Sequence, residues 1–273
     1  MKLRMADSTE QFIQSYSKAL PHAVLLTGQQ GVGLYTLASH IVESNGILLA
    51  TVVPESKGTA LPSISVERIR ELYVETRARL QGKNFVIIDD ADGMTLAAQN
   101  ALLKLLEEPN ESISFILTSH NPDKLLPTIR SRSQAFVVPP VPAVESSRLL
   151  KTLGVKDPVT EQRITYVASG LPAEMTRLLA NESDFKKLLE RVELARGLVA
   201  GSTYQRLTTS MRLGADRHEL IKVLDMSLLL LRKSLASKPD VATMESIQRI
   251  ITASESIRAN GNAKLVIARA MIQ

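Results

Sequence analysis

The sequence predicts an α/β layer fold followed by an all-helical C-terminal third. Three observations predict it. Short unbroken apolar runs recur through the first half, amphipathic helical patterns separate them, and after a proline-dense break no strand pattern returns. Continuous apolar runs of four or five residues suit strands covered on both faces, as in a parallel sheet, and their alternation with helices defines the layer architecture.

The elements follow in order. Ala23-Val24-Leu25-Leu26 is the first predicted strand and ends at a Gly-rich stretch, Thr27 to Gly33. Ser65–Leu80 is a predicted helix with Val66, Ile69, Leu72 and Tyr73 on one side. Phe85-Val86-Ile87-Ile88 is the second strand, ending in Asp89-Asp90. Leu96–Glu108 places Leu102, Leu105 and Leu106 on one stripe and stops at Pro109. Ser114–Thr118 and Ala135–Val138 are the third and fourth strands. Pro139-Pro140-Val141-Pro142 then breaks the pattern, because no helix or central strand tolerates that density of proline. A short helical block runs from about Ala143 to Ala180. Longer helices are predicted at Phe185–Val199, Arg217–Ala236, Ala242–Ala259 and Ala263–Ile272. Leu228–Leu231 is apolar all round its helix, which predicts full burial.

Composition narrows the function. Aromatics are 4% of 273 residues with no Trp, which argues against single-strand binding by base stacking. The net charge of +5 fits work near nucleic acid and equally fits an ordinary soluble surface. With no cysteine there is no disulfide, iron–sulfur cluster or cysteine zinc site. The first residues lack the apolar core of a signal peptide, and the longest apolar stretch, Met226–Leu231, is far too short to span a membrane. A soluble cytoplasmic protein is expected.

Gly28-Gln29-Gln30-Gly31-Val32-Gly33 lies between a predicted strand and a predicted helix, where a Gly-rich loop turns backbone N–H groups toward phosphates. A working loop of this class needs Lys and then Ser or Thr after the last Gly, for the β- and γ-phosphates and for magnesium. Leu34 and Tyr35 stand there instead, and Thr36 follows one residue late. Leucine has neither charge nor donor, and tyrosine is too large for the short hydroxyl–magnesium contact. Asp89-Asp90-Ala91-Asp92 falls where a catalytic site would carry Asp and then Asp-Glu, but the Glu is absent. No nucleotide or metal site is expected. Against this stands the reading in which Thr36 compensates and the chain is an ATPase.

Five segments in register resemble the clamp-loader branch of the AAA+ family. Pro21–Gly28 is similar to the entry to its phosphate loop, and Gln99–Pro109 to its most recognisable sequence. Asn121–Ser133 resembles its sensor-1 and Ser-Arg-Cys region, Gly170–Leu178 its sensor-2 helix, and Asn262–Arg269 the last helix of its collar. Together they span nearly the whole chain. Two departures stand out. The segment Asn45–Leu61 has no trace of the family's four-cysteine zinc module, and Ser133 replaces the Cys of Ser-Arg-Cys. A degraded phosphate loop beside an intact Ser-Arg element is similar to the delta-prime type rather than to the ATP-hydrolysing subunits.

The resemblance implies a P-loop-type parallel-sheet core with helices on both faces (residues 1–141). A small helical lid (142–182) and an all-α collar (183–273) would follow. It implies a non-catalytic subunit of the DNA polymerase III clamp loader, with ATP bound by neighbours and no cofactor or zinc of its own. Partners would be the clamp-loader ATPase subunits and the delta-type subunit through the collar and AAA+ faces, with primed DNA and the sliding clamp in the assembled complex. Arg132, flanked by Ser131 and Ser133, would be an arginine finger acting in trans. Arg177 would be a vestigial sensor 2 serving as a packing or salt-bridge residue, and His120 and Asn121 would mark sensor 1. Lys104 would face DNA phosphate, opposed by Glu107 and Glu108. His22 reads as a strand-entry histidine. A free-standing degenerate scaffold without clamp-loader partners is the third reading.

Overall fold

The computed structural model describes residues 7–18, 21–56, 61–76, 81–107, 110–213, 216–259 and 261–272. Leu80, Glu108 and Pro109, which the helix readings invoke, lie outside the described residues. The chain divides into two compact units, Met1–Ala180 and Asn181–Gln273.

The first unit is built on five parallel strands: β1 (Ala23–Thr27), β2 (Ile47–Val52), β3 (Asn84–Ile88), β4 (Ile113–Ser119) and β5 (Gln134–Val137). Their order across the sheet is β2-β3-β4-β1-β5, with Val24 opposite Ile116 and Ile87 opposite the same Ile116 on the other side. Every residue of β1, β3 and β4 is buried, as their unbroken apolar runs require.

Helices cover both faces. On one, Ala23, Leu25, Val86, Ile88, Phe115 and Leu117 join a core with α3 (Val66–Glu75) and α4 (Leu96–Glu107). On the other lies α2 (Leu34–Asn45), which buries Leu34, Leu37, Ala38, Ile41 and Val42. Each such fully buried aliphatic side chain contributes about 1.5–3 kcal/mol. The first helix, α1 (Asp7–Lys18), sends Phe12 to stack on Phe136 of β5 with ring centroids 3.9 Å apart. A six-residue helix, α5 (Pro127–Arg132), leads into β5, and Pro127 at its first position suits a helix start.

Three helices complete this unit: α6 (Ala143–Thr152), α7 (Pro158–Ala168) and α8 (Pro172–Ala180). The proline run is pinned to the turn before α8, where Val141 N–H donates to Gly170 O at 3.0 Å and Gly170 N–H donates to Ser146 Oγ at 2.9 Å.

The second unit is helical throughout its described residues: α9 (Glu182–Ala200), α10 (Thr203–Leu213), α11 (Arg217–Ser237), α12 (Val241–Arg258) and α13 (Ala263–Ile272). Asp216 caps α11 by accepting from Glu219 N–H at 3.1 Å. The Glu219 carboxylate receives two bonds from Arg191 of α9, one of them 2.9 Å from Nη2. That hydrogen bonding holds the Glu219 carboxyl below its usual pKa, and it ties α9 to α11. Arg258 of α12 reaches Asp225 of α11 at 3.1 Å. No helix among the described residues is long and apolar enough to cross a membrane.

Several expectations need correction. The segment Asn45–Leu61, notable in the sequence for its missing cysteines, also holds β2, an edge strand whose Ile47 and Leu48 are exposed. The sequence reading places no helix at α10 (TYQRLTTSMRL), a segment with few apolar residues and three threonines. A start signal is present, however. Ser202 Oγ accepts from Gln205 N–H at 3.3 Å while Gln205 Oε1 accepts from Ser202 N–H at 2.9 Å, a reciprocal capping box. The helix predicted from Ser65 ends at Glu75. Of Leu228–Leu231 only Leu231 is buried, and the other three are partly exposed on the surface of their unit.

Candidate functional site

The C-terminal ends of β1, β3 and β4 lie side by side, the edge at which open parallel sheets take ligands. At the end of β1 the Gly-rich loop turns into α2. Gly31 and Gly33 have φ of +87° and +99°, a region that side chains with Cβ rarely adopt. Leu34, where a lysine would grip phosphate, is 2% exposed and packs into the core with Leu37 and Ala38. Tyr35 is 43% exposed and Thr36 is exposed.

The loop already has a partner. Ala173 and Glu174 N–H, at the start of α8, donate to Gly31 O at 3.0 and 3.2 Å. Two of the N–H donors that the start of α8 leaves without intrahelical partners are thus satisfied by the loop carbonyl. The approach is close, for a Cβ on Gly31 would lie 2.8 Å from Glu174 Cβ. Arg177, on the same helix, forms a two-bond pair with Glu174 at 2.9 and 2.7 Å.

The carboxylates after β3 are held by β4. Thr118 Oγ1 donates to Asp89 at 2.7 Å and accepts from Asp90 N–H at 2.9 Å. Asp92 Oδ1 accepts from Ser119 Oγ at 2.9 Å and from His120 N–H at 3.1 Å. Asp90 sits at φ 47°, and its carboxyl pKa is raised by burial and then by the charge of Asp89, with His120 opposing. His120 Nδ1 lies 2.8 Å from Gly28 O, so that nitrogen carries the proton. Its Nε2 then faces Asp90 at 3.4 Å, a contact that is favourable only with a further proton on the imidazole or on the carboxyl.

The structure therefore brings Gly28, Asp89, Asp90 and His120 into one bonded network at the strand ends, and Gly31 is bonded separately to the start of α8. This donor set lacks the lysine and short hydroxyl with which a working loop of this class grips a magnesium triphosphate. Leu34 and Tyr35 follow Gly33, and Oδ1 of Asp89, Oδ1 of Asp92 and the Gly31 carbonyl accept from protein donors. His120 and Glu174 are the members whose roles the sequence does not reveal. The partner of His120 lies 92 positions away along the chain, and that of Glu174 is more distant still.

Arg132 stands apart from this network, at the last position of α5. Its Nη2 is 2.9 Å from Glu107 Oε1 at the end of α4, and Nη1 is 3.4 Å from Thr128 O. Both side chains of the pair remain open to solvent, 38% for Arg132 and 48% for Glu107. Ser133 is buried and donates to Ile129 O at 2.9 Å, and Ser131 donates to Thr128 O at 3.1 Å. Arg130 pairs with Asp123 at 2.9 Å.

Gln99, a buried residue of α4, fixes the approach to α5. Its Nε2 donates to Met94 O and Lys124 O at 3.3 and 3.1 Å, and its Oε1 accepts from Leu126 N–H at 2.8 Å. Lys104 lines an open groove of about 530 Å³ between α3 and α4 with Arg70, Tyr73 and Asn100. His22 lies at the entry to β1, with Nδ1 3.2 Å from Ile113 O and its ring edge-on to Phe115.

The sheet and its covering helices give an AAA+-like fold, a parallel α/β module followed in the chain by a helical region. A DNA polymerase III gamma subunit-related protein from Thermotoga maritima shares this fold. The alignment has a TM-score of 0.56 at 20% identity and covers 97% of this chain and 98% of that one.

In sequence, the family model described as "DNA polymerase III, delta subunit" matches residues 44–142. DNA polymerase III subunit delta' of Pseudomonas aeruginosa is 30% identical over 181 residues, 58% of this chain and 55% of that one. The Bacillus subtilis subunit of the same name is 28% identical over 198 residues, 65% of this chain and 54% of that one. The chain spans about half the length of these curated relatives in the matches. In these matches the chain is similar to the delta' subunits of DNA polymerase III.

Proposed function

We propose that this chain is a non-catalytic subunit of the DNA polymerase III clamp loader, working in the cytoplasm with gamma/tau-type ATPase subunits and a delta-type subunit. In this reading Arg132 is an arginine finger. It meets the γ-phosphate of ATP held by a neighbour and stabilises the charge that develops in phosphoryl transfer. Residues 1–141 form the core and 142–182 the lid, with 183–273 as the collar that joins the ring. The chain takes no nucleotide, magnesium or zinc of its own, and it contributes to loading the sliding clamp on primed DNA.

The observation that supports this reading is an asymmetry between two arginines. Arg177 is folded back on Glu174 beside a loop whose phosphate-binding features are lost. Arg132 stands at a helix end and meets its carboxylate through a single solvent-facing contact, where Arg177, just as exposed, has two; such pairs are worth only about 0–1 kcal/mol. A guanidinium so held is free to exchange its carboxylate for a phosphate.

The test is reconstitution with the partner subunits. Arg132→Ala should leave folding and assembly intact and lower DNA-stimulated ATP turnover about tenfold or more, since arginine fingers contribute on the order of 10³–10⁵ in rate. Unchanged turnover in a fully assembled complex would remove Arg132 from the mechanism. Magnesium-dependent ATP hydrolysis by the isolated chain would overturn its non-catalytic assignment.

A further inference from the structure

The end of α4 and the end of α5 meet at one ion pair, Arg132 Nη2 to Glu107 Oε1 at 2.9 Å. The pairing within α5 is one to one, because Arg130 is taken by Asp123 at 2.9 Å. Among the described residues, Glu107 is thus the carboxylate that holds the Arg132 guanidinium within this chain. Both partners are open to solvent, and the second contact of Arg132, to Thr128 O, is long at 3.4 Å. α4 is itself fixed to the approach of α5 by two bonds of Gln99, to Lys124 O and from Leu126 N–H, so the two helices that carry the pair are tied together.

We propose that Glu107 is the resting ligand of Arg132, a regulatory carboxylate that holds the finger until a neighbour's γ-phosphate displaces it. This rests on the reading of Arg132 given above. A terminal phosphate carries more charge than a carboxylate and presents more oxygens to a planar guanidinium, so it wins the exchange once it is within reach. Before that the pair acts as a competitor. It lowers the fraction of time the arginine spends available to the neighbour, and it thereby restrains turnover in the complex that has not yet met DNA. Glu107 touches no reacting atom and acts only through Arg132.

The test uses the reconstituted complex with four versions of this chain: unaltered, Glu107→Gln, Arg132→Ala and the double variant. Assembly is checked by gel filtration and folding by thermal melting. Glu107 is half-exposed, so its amide should fold normally, and Glu107→Ala serves as a second variant. Glu107→Gln should raise ATP turnover without DNA about two- to fivefold, the range an exposed pair can hold back, and leave the DNA-stimulated ceiling unchanged. In the Arg132→Ala background it should change nothing. An unchanged or lowered basal rate, or a rise that persists without Arg132, overturns the role given to Glu107. If Arg132→Ala alone leaves turnover intact, the finger reading itself fails, and the two failures are read from different chains.

Discussion

Gln99→Leu tests how the segment carrying Arg132 is held. The substitution keeps the side-chain volume close to native and deletes three hydrogen bonds of a buried amide, to Met94 O, Lys124 O and from Leu126 N–H. The Leu126 N–H is only part-buried, so leaving it unpaired costs about 1 kcal/mol, the low end of the range for buried groups, and each carbonyl that loses a donor costs about 1 kcal/mol. The sum is roughly 3 kcal/mol. For a unit the size of Met1–Ala180, each kcal/mol lowers Tm by about 2–4 °C, so the first unit should melt roughly 6–12 °C early. Circular dichroism or calorimetry of the purified chain reads this directly. Gln99→Glu, which retains the acceptor for Leu126 N–H but not the two donors, should fall between. Two of the three bonds lie just before α5, so turnover of the reconstituted complex should drop as well. A Tm within about 2 °C of the unaltered chain would refute the argument, because it would mean that backbone and water replace the amide at no cost.

Two further outcomes follow from the geometry. Burial holds the His22 pKa below the ordinary value of about 6.5, against the opposing bonds to backbone carbonyls, so the folded state keeps this imidazole neutral where the unfolded chain protonates it. Stability should therefore be full above about pH 6.5 and decline as pH falls below it, and His22→Gln should flatten that part of a urea-denaturation series; an unchanged slope would count against the assignment. Gly31→Ala would force a Cβ into a left-handed backbone and to within 2.8 Å of Glu174 Cβ. A loss of about 2 kcal/mol and faster proteolysis between α7 and α8 are expected, and an unaltered cleavage pattern would show that α8 is not held by the loop.

The interior strands are legible because β1, β3 and β4 are buried on both faces, and double burial writes an unbroken apolar run into the sequence. β2 sits at the sheet edge with Ile47 and Leu48 exposed, yet its run ILLATV is as apolar as the interior strands; the run is there to be read, and its edge position is not. The long helices are legible from their stripes, and Leu102, Leu105 and Leu106 are buried as their spacing requires. α10 has few apolar residues, and its start is marked by the Ser202–Gln205 cap, a local bond that periodicity does not register.

What the sequence alone determined is which side chains stand after the Gly-rich loop. Leu34 carries no charge in any conformation, so it needed no structure to establish that this position offers no cation. What only the tertiary structure decided is how the remaining polar groups are shared out. Gly31 receives α8, Asp90 faces His120, Arg177 turns to Glu174, and Arg132 rests on Glu107. Most of these partners are far apart along the chain, and which donor meets which acceptor depends on how strands and helices pack. Residue type fixes what a group can bond, and packing selects the partner within reach.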